Sequence, residues 1–214
     1  MDLNEQAWAQ EYDERGGRLI INLDDGCCES ELPRQFARLN IGYQKGHSIL
    51  ALPGRPGQLA KRRVKKAIGL GYECREYDRP RYEDDIYAIN TSLEERQGRP
   101  MKDAYRIRQT YPPLPDYPCR RHSIHTTGVF LDELLVAYLL WYLVGDYAHV
   151  SETLGHGDHL TNGVMYLLFA SAIREAQEDG ARFFGYNLHK SGTNGLRFFK
   201  ERLGFRAMDV EWVL

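Results

Sequence analysis

The 214-residue sequence lacks a long apolar run and carries little net charge. Its longest apolar run, Leu134 to Val144, is too short to cross a lipid bilayer, which takes about 20 residues. No basic start followed by an apolar stretch is present, so we expect no secretory signal. A net charge of −2 attracts neither nucleic acid nor membranes, and any site for a polyanion must be local. The expectation is a cytoplasmic protein with no membrane span.

Cysteine is scarce, and no Cys-x-x-Cys pair is present. The four cysteines are Cys27, Cys28, Cys74 and Cys119, and the adjacent pair is a poor candidate for a disulfide. This pattern favours a reducing compartment. Cys27 and Cys28 follow Asp24-Asp25-Gly26, which predicts a loop more readily than a redox or metal element.

Internal repeats are also absent, and 43% hydrophobic with 27% charged residues is typical of a globular protein. A chain of this length favours one large domain with an extension over two independent domains. We predict an N-terminal arm or partial subdomain over residues 1–57 and a main domain over 58–214. Within the main domain, a helical segment (58–110) precedes a proline-rich joint (111–118) and the core (123–214).

The spacing of apolar residues predicts the secondary structure. Helices are expected at 1–15, 58–68, 82–96, 162–178 and 195–203, and strands at 18–23, 48–52, 72–77, 123–131, 134–144, 147–154, 183–188 and 206–214. The strand at 183–188 should run parallel to the strand at 147–154, because a helix connects them. The predicted fold class is α/β (α+β), with a mixed, mostly antiparallel central sheet flanked by helices.

The most specific pattern lies in the last helix, where Phe198-Phe199-Lys200 precedes Leu203-Gly204-Phe205. Together with the order of strands and helices before it, this pattern resembles the last-helix signature of the GNAT acyltransferase superfamily. Lys200 stands where ordinary GNAT enzymes often carry a tyrosine. A lysine at this position is typical of Fem-type aminoacyltransferases and their FemAB-like relatives. The basic run from Lys61 to Ala67 resembles the helix that opens the second GNAT-like half of those proteins.

This resemblance implies a GNAT-like acyltransferase. The donor would be an acyl-CoA, such as acetyl-CoA, or an aminoacyl-tRNA, the acceptor would be an amine, and no metal is expected. Two features depart from the pattern: the chain has room for one GNAT-like half, and the phosphate-loop pattern Gln/Arg-x-x-Gly-x-Gly/Ala is missing between Leu154 and Val164. A catalytically silent GNAT-like module that binds RNA or a partner protein is therefore the alternative. Kinship with arginyl- or leucyl-tRNA–protein transferases is a third hypothesis.

The segment from Leu154 to Gly163 leads into the predicted helix at 162–178, where backbone N–H groups and the helix dipole can hold a phosphate. Its glycines would let the backbone approach a ligand closely, and we expect them at the surface, where substitution changes stability little. The predicted donor-binding residues are Leu154, Gly155, Gly157, His159, Asn162 and Gly163. The alternative is an ordinary turn in which Thr161 or Asn162 is the helix N-cap.

Acylation of an amine needs a base and an acid, and three residues are candidates. Glu152 or His156 is the predicted base, and Lys200 is the predicted electrophile or proton donor. Strand alternation places Glu152 on the face of Val150 and Leu154, apolar neighbours that would raise its pKa if it were buried. The competing hypotheses are a half-exposed strand-end carboxylate for Glu152 and a solvated helix cation for Lys200.

The remaining predictions concern substrate, metal and partners. By the resemblance, residues at the end of the strand at 183–188 and just after it would bind the acyl end of the substrate, namely Tyr186, Asn187, His189 and Ser191. A metal held by His156, Asp158 and His159 is not expected, because adjacent loop residues converge on a metal with difficulty. The exposed basic face of Lys61 to Lys66 fits tRNA or CoA. The oligomeric state stays open, a homodimer included.

Overall fold

The structure is a computed structural model that describes residues 18–23, 42–117, 119 and 121–213. Its strands are β1 (Arg18–Asn22), β2 (Gly42–Ala51), β3 (Tyr72–Glu76), β4 (Glu95–Arg96), β5 (Arg99–Pro100), β6 (His122–Leu131), β7 (Leu134–Val144), β8 (Tyr147–Gly155), β9 (Phe183–Leu188) and β10 (Arg206–Val213). Its helices are α1 (Gln58–Gly69), α2 (Glu83–Thr91), α3 (Asp103–Arg106), α4 (Val164–Glu178) and α5 (Asn194–Leu203), with 3₁₀ turns at Arg79–Tyr82 and Gly157–Asn162. The predicted helix at 1–15 and the Cys27–Cys28 loop lie outside the described residues.

Eight of these strands form one sheet, in the order β1-β10-β2-β9-β8-β7-β6-β3. Neighbouring strands of this sheet are antiparallel except for β1–β10 and β8–β9, which are parallel. The meander β6–β7–β8 is connected by short turns in which Asp132 (φ 54°) and Gly145 (φ 61°) adopt the left-handed conformation. The predicted fold class is therefore confirmed, and so is the parallel pairing of the strands at either end of α4.

Helices cover both faces of the sheet. The apolar sides of α1, α4 and α5 pack on one face, where Leu167 and Leu168 of α4 join Trp141 of β7 in the largest core cluster. On the other face, Ile86 and Ile89 of α2 pack against apolar side chains of β6 and β7. A third cluster connects β1, β2 and β10 around the buried Trp212. The central sheet is thus covered by α1, α4 and α5 on one face and by α2 on the other.

The largest error of the sequence prediction is the helix expected at 82–96. It ends at Thr91 and is followed by the β4–β5 hairpin, whose turn residues Gln97 (φ 54°) and Gly98 (φ 71°) both have positive φ. The guanidinium of Arg96 turns back and donates a hydrogen bond to the carbonyl of Ile89, at the last turn of α2. The helical spacing of apolar residues continued past Thr91, but the capping contact and the turn end the helix there.

Strand β2 begins at Gly42, earlier than the expected residue 48. The sequence did not predict its first half because those residues are polar and do not alternate with apolar ones. It lies between β10 and β9 in the sheet. The division at residue 57 into an arm and a main domain stays a prediction. Within the described ranges, β1 and β2 contribute strands to the same sheet as the rest of the chain.

Candidate functional site

The candidate site begins where β8 and β9 separate. Three residues of β8, Tyr147 to His149, pair with the first three of β9, Phe183 to Gly185. Beyond this point β9 remains paired with β2, as the Leu188–His47 rung shows. In the part of the chain that the structure describes, β8 has no strand partner on that side from residue 150 to 155. The two strands splay apart, and backbone N–H and C=O groups of β8 border the gap.

A β-bulge lies in β8 at the start of this gap. The register shifts so that Trp141 pairs with Val150 while Leu140 pairs with Glu152, which leaves Ser151 as the extra residue. Cross-strand partners share a face of the sheet, so Val150 lies with Trp141 on the α4 side and Glu152 lies on the opposite face. The predicted common face for Val150 and Glu152 is therefore wrong, because the bulge interrupts the alternation.

A cleft of about 260 Å³ occupies the gap. Its polar lining residues are Thr153, Glu95, Arg96 and Gln97, and its other lining residues are Leu93, Leu154, Gly155, Leu160, Met165, Tyr186, Leu196 and Phe199. The structure thus brings together Leu154 and Gly155, two predicted donor-binding residues, with Tyr186, a predicted substrate-binding residue. At Gly155 a Cβ would lie 2.7 Å from the Met165 sulfur, so a larger residue would intrude on the cleft wall.

The segment 92–101, which contains the β4–β5 hairpin, crosses the cleft as a strap. Arg96 fastens one side of the strap to β8 by donating a hydrogen bond to the Gly155 carbonyl (2.8 Å). Within the strap, it also donates to the Ser92 hydroxyl (2.9 Å). On the other side, a Cβ at Gly192 would lie only 2.5 Å from Oε1 of Gln97, so the strap also packs on the loop before α5. This strap lies where the apolar spacing of residues 82–96 had predicted a helix.

Lys200 is fully buried on α5. Its Nζ donates a hydrogen bond to the Leu188 carbonyl (2.8 Å) and lies 4.7 Å from the centre of the Tyr186 ring. Burial lowers the pKa of Lys200 to about 8 and raises the pKa of Tyr186 to about 12. The hypothesis of a solvated cation is therefore wrong. Lys200 sits behind Tyr186, the residue whose side chain lines the cleft.

A second cavity, of about 350 Å³, lies at the N-terminal end of α4. It is lined by Leu59, Arg63, Leu160, Thr161, Gly163, Tyr166 and Phe198, so Leu160 borders both cavities. Two cations of α1 converge here, because Lys66 Nζ (3.0 Å) and Arg63 Nη1 (3.4 Å) both donate to the Thr161 carbonyl. Helix N-termini and cations both favour anions, so this cavity suits a phosphate group.

Gly163, with φ 88°, is the N-cap of α4, and no side chain caps this helix end. The hypothesis that Thr161 or Asn162 caps the helix is therefore wrong. A Cβ on Gly163 would lie 2.5 Å from the Arg63 carbonyl, and a Cβ on Gly157 would lie 2.8 Å from Leu93. The expectation that these glycines tolerate substitution is also wrong, because α1 and the strap pack directly against them.

The two polar residues predicted in the same loop have structural partners. His159 Nδ1 lies 2.7 Å from the Tyr72 hydroxyl, and Asn162 donates a hydrogen bond to that hydroxyl (2.9 Å). Burial, followed by the charge of His156, lowers the pKa of His159. His156 itself lies past the end of β8, where its Nδ1 accepts a hydrogen bond from the Asp158 backbone N–H. These contacts attach the loop to β3 and keep the three side chains out of the cleft lining.

Glu152 lies beside the gap, on the face opposite α4. Its carboxylate is 37% exposed and accepts a hydrogen bond from Arg79 Nη2 at 2.8 Å. Arg79 is itself buried and stacks over the ring of Tyr111, 4.1 Å from its centre. The Glu152 carboxylate is therefore partly exposed and paired with a buried cation, Arg79.

The other predicted substrate-binding residues lie away from the cleft. Asn187 is exposed with φ 51°, and the Ser191 hydroxyl donates to the Leu188 carbonyl (2.7 Å). His189 is buried, with Nδ1 3.1 Å from the Ser48 hydroxyl and Nε2 3.6 Å from Glu201. Burial is the main cause that lowers its pKa, and the charge of Lys200 is the next. Of the four predicted residues, only Tyr186 lines the cleft.

A buried polar chain that the sequence analysis missed fills the paired half of the β8–β9 junction. His47 Nε2 lies 2.9 Å from the Tyr147 hydroxyl, which lies 3.0 Å from His149 Nδ1. Burial lowers the pKa of His47 to about 3, with a further contribution from His149, and lowers the pKa of His149 to about 4. No sequence signal could have found this chain, since it depends on β2 lying next to β9.

Among the described residues, no group of three His, Cys, Asp or Glu side chains is arranged to hold a metal ion. No helix in the same part of the chain combines the length and apolarity that crossing a membrane requires.

Comparisons with known proteins give structural matches only. No protein-family model and no curated protein matches the chain. FemX matches with a TM-score of 0.57 and 10% identity, over 86% of this chain and 68% of that one. L-PGS from Bacillus licheniformis matches with a TM-score of 0.52 and 13% identity, over 78% of this chain and 60% of that one.

A third structure is the C-terminal domain (DUF2156) of a protein from Agrobacterium fabrum described as a lysylphosphatidylglycerol synthetase. It matches with a TM-score of 0.50 and 13% identity, over 81% of this chain. The chain spans 62% of that structure's length, and so covers about three fifths to two thirds of these three neighbours. Identities this low show the fold alone. The chain has the GNAT-like fold in the form it shares with FemX and the lysylphosphatidylglycerol synthetase domain, as the sequence predicted.

Proposed function

We propose that the protein is an N-acyltransferase, which moves an acyl or aminoacyl group from an activated donor to an amine. The observation that carries this proposal is the splay of β8 and β9, which opens a cleft inside an otherwise continuous sheet. Leu160 lines both the cleft and the second cavity, so the two lie next to each other, and we infer that one extended ligand spans both. The fold shared with FemX supports the same class of chemistry without identifying a substrate.

The donor that fits this geometry best is an acyl-CoA. Its narrow arm carries amide groups, which can pair with the backbone of residues 150–155 in the manner of an added strand. The mostly apolar cleft suits the arm and the acyl group, and phosphates bound in the second cavity would lie beside Arg63 and the N-terminal end of α4. Cations from α1 thereby replace the missing phosphate-loop pattern.

Aminoacyl-tRNA is the second candidate donor. The observation that favours it is the row of exposed cations on α1, where Lys61, Arg62 and Lys65 have no ion pair with any described residue. Clustered cations of this kind bind polyanions by releasing counterions. In an aminoacyl-tRNA the acyl group is esterified directly to a ribose. The bulk of that ribose next to the acyl group requires more room at the strap than the narrow arm of an acyl-CoA does.

The chemistry assigns separate tasks to the two sides of the gap. The amine attacks the donor carbonyl, a tetrahedral oxyanion forms, and its collapse breaks the bond to the leaving thiolate or ribose oxygen. Glu152, which lies in the part of β8 that is not paired with β9, would take the proton from the amine. Tyr186, a neutral phenol at pH 7, would give its proton to the leaving group. The buried ammonium of Lys200 would stabilise the negative charge left on that phenol.

Donor binding tests the proposal most directly. Arg63→Gln should weaken the binding of CoA about tenfold, because it removes a charge-assisted contact to phosphate from the second cavity. Arg62→Gln is the matched control: it removes the same charge from the next residue of α1, which does not line the cavity. Isothermal titration calorimetry with CoA and acetyl-CoA measures both variants.

Three results would change the proposal. Equal losses in the two variants would indicate diffuse charge attraction, and the donor site would have to be abandoned. Absence of CoA binding together with tight binding of charged tRNA would select the second donor. A wild-type protein that transfers no acyl group from either donor, yet binds RNA with a steep salt dependence, would support the silent binding module.

A further inference from the structure

The exposed side of α1 combines cations with large apolar side chains. It carries Lys61, Arg62 and Lys65, followed at the end of the helix by Ile68 and Leu70, which are 58% and 49% exposed. We name these five residues the α1 patch. Neither Ile68 nor Leu70 belongs to a core cluster of the described residues.

Helix geometry brings four residues of the patch together, and Leu70 follows directly after the last residue of the helix, Gly69. Residues three and four apart are neighbours on a helix surface, so Lys61, Lys65 and Ile68 form one row. The opposite side of the helix is fixed to the body of the protein by Ala60 and Ala67, both fully buried in the core beside α4. The orientation of the patch toward solvent is therefore determined by the packing of α1.

The patch is unfavourable for the isolated helix. No acidic residue occurs in α1, and two like-charged pairs, Lys61–Lys65 and Arg62–Lys66, stand at the destabilising i,i+4 spacing. Lys61, in the first turn of the helix, also opposes the helix dipole. Within the described ranges, no carboxylate forms an ion pair with the three cations of the patch. Binding to an anionic surface would compensate all three costs.

We propose that the α1 patch docks the protein peripherally on an anionic lipid surface. Two features favour lipid over RNA. The patch has aliphatic side chains and no aromatic one, whereas unpaired RNA bases are held mainly by aromatic stacking. It also has lysines with one arginine, and lysine stems can extend along a lipid interface while Ile68 and Leu70 insert beside them. The three cations are those named above for the second candidate donor, aminoacyl-tRNA, so lipid docking and tRNA binding are alternative uses of this face. The inference does not depend on the acyl-CoA site, which lies at Arg63.

Co-sedimentation of the full chain with lipid vesicles tests the inference. Wild-type protein should bind vesicles of phosphatidylcholine and phosphatidylserine in equal parts and should not bind phosphatidylcholine alone. Each basic residue near an anionic surface contributes about a fivefold factor in partitioning, so Lys61→Gln/Arg62→Gln/Lys65→Gln should lower it about a hundredfold. Ile68→Ser/Leu70→Ser should lower it at least tenfold with the charge unchanged.

Two matched controls isolate the patch. Arg99→Gln/Lys102→Gln/Arg106→Gln removes the same number of exposed cations from another surface, and Ile107→Ser removes another exposed apolar side chain, which is 65% exposed. Both controls should bind as the wild type does, and circular dichroism melts would verify that every variant is folded. No binding of the wild type to anionic vesicles overturns the inference. So does RNA binding that needs the three cations but is unaffected by Ile68→Ser/Leu70→Ser, since that result assigns the patch to RNA.

Discussion

The two halves of the β8–β9 junction differ although they are built from the same two strands. In the paired half, residues 147–149 and 183–185 are joined by a ladder, and the buried His47–Tyr147–His149 chain fills the space beside it. In the open half, the ladder ends, a cleft of about 260 Å³ takes its place, and a strap crosses it. One half is closed by packing, and the other is kept open.

Each half is maintained by residues from elsewhere in the chain. Gly185 lacks a side chain at the point where the Tyr147 hydroxyl lies, which permits the paired half to close. Arg96 and Lys200 both donate to backbone carbonyls of the open half, at Gly155 and at Leu188. Arg96 thus gives the Gly155 carbonyl a partner where β8 has no neighbouring strand on that side among the described residues, whereas the Leu188 carbonyl also accepts hydrogen bonds from Ser191. The comparison indicates that opening the sheet requires dedicated polar contacts, because unpaired buried backbone groups are costly.

The largest expected effect concerns Lys200 in the open half. Lys200→Met keeps the apolar stem and removes the charge, so turnover with the true donor should fall about 10²-fold, since an electrostatic contribution to the leaving group is lost. Lys200→Arg should recover only part of the lost turnover, because a guanidinium spreads its charge over a larger plane. Steady-state kinetics of the three proteins measures the effect. Undiminished transfer by the Met variant would exclude Lys200 from catalysis.

The pH dependence of the free energy of unfolding, compared between the wild type and Lys200→Met, tests the burial of the Lys200 ammonium. Burial lowers the pKa of Lys200 from 10.5 to about 8, so between these values the folded protein binds fewer protons than the unfolded chain. The free energy of unfolding should therefore rise with pH over that range, by on the order of 3 kcal/mol in all. Urea titrations at pH 7.5 and 10 should show this rise in the wild type relative to Lys200→Met. Parallel curves would mean that Lys200 is solvated.

A smaller effect is expected in the paired half. Gly185→Ala should lower the free energy of unfolding by about 2–3 kcal/mol, because the new Cβ would lie 1.9 Å from the Tyr147 hydroxyl in a fully buried region. Tyr147→Phe in the same chain should restore part of the loss. The control is Gly195→Ala, where the new Cβ meets nothing closer than 3.6 Å. Equal denaturation midpoints for Gly185→Ala and the control would show that this half is not tightly packed.

The smallest expected effect returns to the open half. The Thr153 hydroxyl is buried and has no hydrogen-bond partner among the described residues. Thr153→Val should therefore raise the free energy of unfolding by about 1 kcal/mol. The substitution removes a hydroxyl that gives up its hydrogen bonds to water on folding and forms none with the described residues of the folded protein. Thr126→Val, the control, removes a hydroxyl that donates to the Tyr77 carbonyl at 2.5 Å and should be destabilising. A loss of stability in Thr153→Val would mean that the Thr153 hydroxyl has a hydrogen-bond partner in solution.

Much of the core could be predicted from the sequence because its signals are local. The run Leu134 to Val144 and the strand at 183–188 match the observed bounds of β7 and β9. Apolar spacing also predicted α4 to within two residues of its start. The last-helix pattern around Lys200 led to the GNAT-like fold that the structural neighbours confirm.

What the sequence could not supply depends on contacts between distant segments. Whether Glu152 shares a face with Val150 was decided by a bulge against β7, and whether Gly163 tolerates a side chain was decided by α1. The strap was hidden because apolar spacing alone does not show where a helix ends.

By itself, the sequence determined the order of the core elements, the parallel crossover through α4 and the residue types available for chemistry. Only the tertiary structure decided which of them meet: Tyr186, Leu154 and Gly155 at a cleft, Lys200 behind the tyrosine, and Glu152 on the other side of the sheet. The physical reason is that secondary structure follows from local periodicity and turn geometry, whereas the place where a sheet opens depends on strand order and register across the whole chain.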